Sequence, residues 1–121
     1  MNKRAKQDLG ALLDPAFYRA LCDPSRIAIM TWLMAQRAPQ NVSDVASGSG
    51  CGIDLSVVSR HLAILRGAGI LESARQGKQV LYRVRTEWLV STLRRLADAI
   101  EICCPATTFS ETARPTERIR L

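Results

Sequence analysis

Missing from this 121-residue chain are a second histidine, an apolar run long enough for a membrane and any phosphate-cradling loop. A membrane span needs roughly 20 consecutive apolar residues, so no membrane anchor is expected. The opening MNKRAKQD has no apolar stretch behind its charges, which argues against a secretory signal and for a cytoplasmic location. Zinc, cobalt or nickel held between two helices needs histidines and carboxylates that converge. The lone histidine, His61, falls in a different helix from the terminal one, so such a site on the terminal helix is not expected. With no nucleophile elbow, no P-loop and no metal-plus-base group, no enzymatic activity is expected. A thiol reductase using neighbouring cysteines is the weak exception. There is no internal repeat.

What is present is enough for one domain: 47% of the residues are hydrophobic, which at this length can bury a core but not two. The net charge of +6 exceeds what solubility requires and suggests an anionic partner, nucleic acid or an acidic membrane surface. Of the four cysteines, Cys22, Cys51, Cys103 and Cys104, none needs a disulfide partner if the chain has its own core in a reducing compartment, so free thiols are expected.

Asp14-Pro15 and Asp23-Pro24 each read as a helix cap followed by proline at the first helical position. A short helix over about Pro15 to Cys22 and a second carrying Ile27, Ile29, Met30, Trp32, Leu33 and Met34 follow. The second is apolar around most of its circumference, as suits burial between other helices, and Pro39 closes it. Ser43 can cap a third over Asp44 to Ser47, before the flexible run GSGCG. Asp54 can cap a fourth from Leu55 to about Gly67, with Val58, Leu62 and Leu65 inward and Gly67 and Gly69 as the left-handed stop. Leu71 to Ala74 and Val80 to Arg85, around a Gln76-Gly77 turn, predict a hairpin with a basic tip. From Glu87 a fifth helix places Leu89, Leu93, Leu96, Ile100 and Cys103 on one narrow seam that wants a partner helix.

The expected fold is mainly α with a small β-hairpin, five helices in the order of a winged helix-turn-helix. The organisation would be a basic N-terminal arm (1–13), a DNA-binding and dimerisation domain (14–104) and a flexible tail (105–121). The stretches LCDPSRIAIM, VVSRHLAILRGAGIL and QGKQVLYRV resemble the ArsR/SmtB family of small metal- and metalloid-responsive bacterial repressors, over roughly Ala16 to Ile102. The resemblance implies a homodimer, joined through the fifth and first helices, reading successive major grooves of a near-palindromic double-stranded operator. It also makes the helix from Leu55 the recognition helix. Ser56, Ser59, Arg60 and His61 are then candidate groove and phosphate contacts, and Arg75, Lys78 and Arg83 candidate wing contacts to backbone or minor groove. Each has a bland reading as a solvated surface residue, and His61 as a capping or packing one. Two departures stand out: Leu55-Ser56 replaces a Gln-Pro-type start to the recognition helix, and the loop ASGSGCGID is longer than the usual turn.

The inducer follows from the thiols. The cysteine-rich motif that some arsenic repressors carry on their third helix is absent, the segment here reading NVSDVAS. Cys103-Cys104 are adjacent at a helix end before Pro105, a compact pair of soft ligands for trivalent arsenic or antimony, with no organic cofactor implied. Inorganic arsenite or antimonite wants a third sulfur, from Cys51 or the other subunit, whereas a monomethylated arsenical is satisfied by two. Cys22 reads as a small packing residue. A disulfide between neighbours is disfavoured, because consecutive Cα atoms lie about 3.8 Å apart against a usual span of roughly 4.4 to 6.8 Å. A winged-helix regulator sensing oxidants or reactive sulfur through the same cysteines is the alternative.

Overall fold

The structure, a computed structural model, describes Lys3, residues 10–51 and residues 54–103, with the backbone alone at Cys103. Most of the expected N-terminal arm, Cys104 and the expected tail lie outside the described residues. Residues 10–12 are helical.

Three aspartates start three helices as expected. Asp14 accepts from the Ala16 amide to open α1 (Pro15–Leu21), Asp23 from Ser25 and Arg26 to open α2 (Pro24–Ala35), and Asp54 from Ser56 to open α4 (Leu55–Gly67). In α1 and α2 proline holds the first turn, where its missing N–H costs no hydrogen bond. The second helix stops at Ala35, not at Pro39. The cap of α3 (Val42–Gly48) is Asn41, whose side-chain oxygen accepts from the Asp44 amide at 2.8 Å, rather than Ser43.

At the end of α4 the Ile70 and Gly69 amides return to the carbonyls of Leu65 and Arg66, a Schellman closure with Gly69 at φ 85°. Gly67, expected to share that role, is helical instead. The hairpin is longer than its apolar residues suggested: β1 (Leu71–Gln76) pairs antiparallel with β2 (Gln79–Val84), Leu71 opposite Val84 and Gln76 opposite Gln79. The turn is therefore Gly77-Lys78, one residue further on than predicted, with positive φ at its first position only. Arg85 follows the strand and leads into α5 (Thr86–Cys103).

The core joins all these elements: Phe17 and Ala20 of α1, Ile29, Met30 and Leu33 of α2, Val45 of α3, Val58, Leu62 and Leu65 of α4, then Ile70, Leu71, Val84 and Leu89. The fourth helix buries the stripe that its periodicity predicts. The second is less enclosed than expected: Ile27 and Met34 are each 49% exposed, because hairpin and helices cover one side of α2 only. Cys22, expected to pack inside, is exposed, since it caps α1 one residue beyond the turn that buries Ala20. Cys51, expected on an exposed loop, is half-buried against the core. No helix among the described residues is long and apolar enough to cross a membrane.

One packing contact gives a stability prediction. A Cβ on Gly48 would fall 2.2 Å from the indole of Trp32, so α3 reaches α2 only through glycine. On an open helix Gly→Ala would gain up to about 1 kcal/mol, but overpacking costs about 1–3 kcal/mol and a helix-terminal position realises little of the gain. Gly48→Ala is expected to lower the urea midpoint without changing its slope, and an unchanged or raised midpoint would show that the indole swings away freely.

Candidate nucleic-acid interface

The candidate recognition surface is the face of α4 opposite Val58, Leu62 and Leu65. Ser56, Ser59 and Arg60 are all exposed there. The structure thus brings three of the four helix candidates onto one open face. Ser56 is not a free hydroxyl: its Oγ donates to Asp54 Oδ1 at 2.7 Å and its amide to the same oxygen at 2.9 Å. Towards DNA it therefore offers lone pairs rather than a proton.

His61 stands at the edge of this face, half-buried, with Nδ1 3.3 Å from Nη1 of Arg26. Arg26 reaches it from the first turn of α2, while also donating through Nε to the Ala20 carbonyl (2.8 Å) and through Nη2 to the Arg19 carbonyl (3.0 Å). This contact, absent from the candidate set, spans 35 residues, and no local pattern announces it.

The wing separates its three candidates. Arg75 and Lys78 are exposed towards the tip, with no side-chain hydrogen bond among the described residues. Arg83 is held by Glu72 across the strand pair, on the sheet face away from Leu71 and Val84, so its charge is partly answered within the protein. Surface pairs of this kind exchange partners cheaply, and the pairing weakens Arg83 as a DNA contact without removing it. The wing is anchored at its base by a bridge the sequence did not suggest. Gln40 and Tyr82 exchange two backbone hydrogen bonds of 3.0 and 2.8 Å, and Asn41 donates its side-chain amide to Gln79. The residue that caps α3 therefore also fixes the hairpin.

A second joint links this reading head to α5. Arg85 donates to the Gly69 carbonyl at 3.0 Å and its guanidinium lies 4.8 Å from the centre of the Trp88 ring. A Cβ on Gly69 would come 3.2 Å from the same indole. The end of the recognition helix and the first turn of α5 are thus packed as one unit.

Two carboxylates at the interface titrate below their ordinary range. The Ser56 hydroxyl and the Ser56 amide hold Asp54 down, outweighing partial desolvation. For Asp23 desolvation acts upward, but the amides of Arg26 and Ser25 and the Arg26 charge prevail. A carboxylate with a lowered folded pKa contributes stability that is complete above its unfolded value and is lost as pH falls through the folded one. On acidification below about pH 4 the melting temperature should fall more steeply for the wild type than for Asp54→Asn. Parallel slopes in a pH series of thermal melts would refute the role of this cap.

The candidate thiols lie elsewhere. Cys51 donates Sγ–H to the Ser25 carbonyl at 3.1 Å. Cys103 is the last residue of α5, and Cys104 lies outside the described residues. Among the described residues no group of three or more His, Cys, Asp or Glu side chains is gathered for a metal ion.

A helical core, an exposed recognition helix and a tethered basic hairpin define a winged helix-turn-helix protein, and comparison with known proteins agrees. Residues 21–74 match a helix-turn-helix domain family. The chain is 37% identical over 93 residues to the arsenic resistance transcriptional regulator ArsR1 of Pseudomonas putida, covering 73% of this chain and 69% of that one. An ArsR-like transcriptional regulator from Rhodococcus superposes with a TM-score of 0.60 at 28% identity, covering 81% of this chain and 82% of that one. The homodimeric winged helix-turn-helix domain of a possible ArsR-family regulator from Mycobacterium bovis does so at 0.55 and 24%, covering 84% of each. The chain belongs to the ArsR/SmtB family and is a transcriptional repressor of that type.

Proposed function

We propose that this repressor answers to a metalloid: a homodimer joined through α5 and α1 binds a near-palindromic operator and releases it when trivalent arsenic or antimony, inorganic or methylated, binds the thiolates of Cys103 and Cys104. The observation that carries this is an 18-residue helix that ends at Cys103, the first thiol of the pair, and whose apolar seam is buried in the core at Leu89 but left uncovered by the described residues further on, Leu93 being 42% and Ile100 44% exposed. A second copy related by a two-fold axis would cover both seams at once, and matched symmetry of protein and operator follows. The name of the Pseudomonas putida relative points to arsenic as well.

Thiolates are soft ligands and select soft, thiophilic centres. Two of them suit a monomethylated arsenical. A third from Cys51 would require its Sγ to leave the Ser25 carbonyl, so inorganic arsenite has either to break that contact or to draw on the other subunit. Metalloid capture at the end of α5 favours a dimer geometry in which the reading heads no longer match the groove spacing. The Arg85, Gly69 and Trp88 joint passes any change in α5 to the recognition helix. DNA contacts come from Ser56, Ser59, Arg60 and His61 on α4 and from Arg75, Lys78 and, once freed from Glu72, Arg83 on the wing.

The test is fluorescence anisotropy of the reduced protein on its own promoter DNA at fixed salt, titrated with arsenite, antimonite, methylarsenite, cadmium and zinc. Release by a trivalent metalloid but not by zinc supports the reading. Release by peroxide or polysulfide alone would make the same cysteines a redox switch.

A further inference from the structure

We infer that Arg26 is a positioning residue for DNA binding: its hydrogen bond to His61 Nδ1 fixes the imidazole in the Nε2–H tautomer, so that the recognition helix presents a donor to a DNA phosphate. The inference rests on α4 being the DNA-reading helix. Neither residue acts alone in it. Arg26 touches no DNA, and His61 without Arg26 has no fixed polarity.

The chemistry is forced by the donor count. A guanidinium has five N–H groups and no acceptor, while a neutral imidazole has one donor nitrogen and one acceptor. With Nη1 of Arg26 3.3 Å from Nδ1, that nitrogen has to accept, and the ring proton belongs on Nε2. The opposite tautomer would set two N–H groups against each other. Arg26 is well placed to impose this because it hardly moves. Its side chain is only 12% exposed and is pinned by the Ala20 and Arg19 carbonyls, with Asp23 Oδ2 3.9 Å from Nη1 as counter-charge. On the other side of the ring, Nε2 makes no hydrogen bond among the described residues and is not sealed from solvent.

The tautomer decides the sign of a contact with DNA. An Nε2–H meeting a phosphate oxygen is a hydrogen bond, whereas an Nε2 lone pair meeting it is a repulsion. Free imidazole in water populates both forms, so part of the affinity would be spent on selecting one. A ring fixed beforehand avoids that loss, as preorganised groups do in binding generally. The competing account makes Arg26 a clasp of the α1–α2 turn whose contact with His61 is incidental.

His61 is the only histidine of the chain, so selective 15N-histidine labelling gives a single pair of ring nitrogens. In mildly alkaline buffer, where an imidazole is unprotonated, the wild type should show Nδ1 as the bare nitrogen and Nε2 as the protonated one. Arg26→Met should move both resonances towards the average of free histidine, and Arg26→Lys, which restores a donor, should move them part of the way back. Adding promoter DNA to the wild type should slow solvent exchange at Nε2–H enough for its proton to be seen. On a single half-site, His61→Ala should weaken binding about tenfold, the worth of one charge-assisted hydrogen bond; Arg26→Met, which keeps the ring but loses its fixed polarity, should weaken it about twofold, and the double variant should lose no more than His61→Ala alone. A wild-type ring protonated on Nδ1, or an Arg26→Met loss that persists undiminished in the His61→Ala background, would overturn the inference. If Arg26→Met fails to fold, the wild-type spectra alone still decide it, since an Nε2–H that exchanges equally fast with and without saturating DNA rules the phosphate contact out. Failure of the wild type to bind any duplex would instead bring down the DNA-reading assignment of α4, whatever the tautomer.

Discussion

Cys103→Ser and Cys104→Ser are each expected to bind promoter DNA as tightly as the wild type and to stay bound when a trivalent arsenical is added. Serine has nearly the shape of cysteine but offers a hard oxygen, so the substitution removes the soft ligand and little else. Cys103 is the last residue of α5 and Cys104 follows it in the chain, whereas the candidate DNA contacts belong to α4 and the wing. In the wild type, a coupling of about 3 kcal/mol between metalloid and DNA would weaken binding on the order of 150-fold. That is enough for a switch, and the serine variants should show less than a twofold change. The order of potency among ligands carries the rest. If methylarsenite releases DNA from wild type and from Cys51→Ser alike, two sulfurs suffice. If arsenite acts on wild type but not on Cys51→Ser, Cys51 completes a three-sulfur site. A serine variant that no longer binds DNA would mark the pair as structural and remove the sensor assignment.

Much of the architecture is legible in the sequence because its signals are local. Asp14, Asp23 and Asp54 cap helices within three residues of themselves, and the inward stripe of α4 follows from its period. What could not be read depends on contacts between segments far apart in the chain. Asn41 outcompetes Ser43 as a cap partly because its other end is held by Gln79, and the Gln40–Tyr82 bridge exists only once the hairpin has docked beside the α2–α3 link. The exposure of Ile27 and Met34 depends on which side of α2 the other elements choose, which composition cannot tell. The same applies at the interface. Exposure of Ser56, Ser59 and Arg60 follows from the helical period, whereas the capture of His61 by Arg26 and of Arg83 by Glu72 needed the register of two packed elements. For the thiols the sequence says more than the structure, since adjacency is a covalent fact and Cys104 lies outside the described residues.

Leu93→Glu is expected to turn the proposed dimer into a monomer and to cost operator affinity on the order of a thousandfold. In the single chain Leu93 is 42% exposed, so a glutamate there is solvated and the folded monomer should keep its stability within about 0.5 kcal/mol. Across a two-fold seam the same change places two carboxylates near each other and away from water, at a desolvation cost that leucine does not carry. Loss of the dimer separates the two reading heads. Linked heads gain a factor of roughly 10² to 10⁴ because the second docks at the effective concentration set by the first, and a monomer forfeits this gain while each head keeps its own contacts. The loss should therefore appear in affinity for the full operator and hardly at all for an isolated half-site. Sedimentation velocity and anisotropy on both DNA lengths would separate the effects. An equal loss on both lengths would mean that the substitution had damaged the reading head. A Leu93→Glu protein that stays dimeric and binds as before would place the interface elsewhere, and α5 could then not be the element through which Cys103 and Cys104 govern the operator.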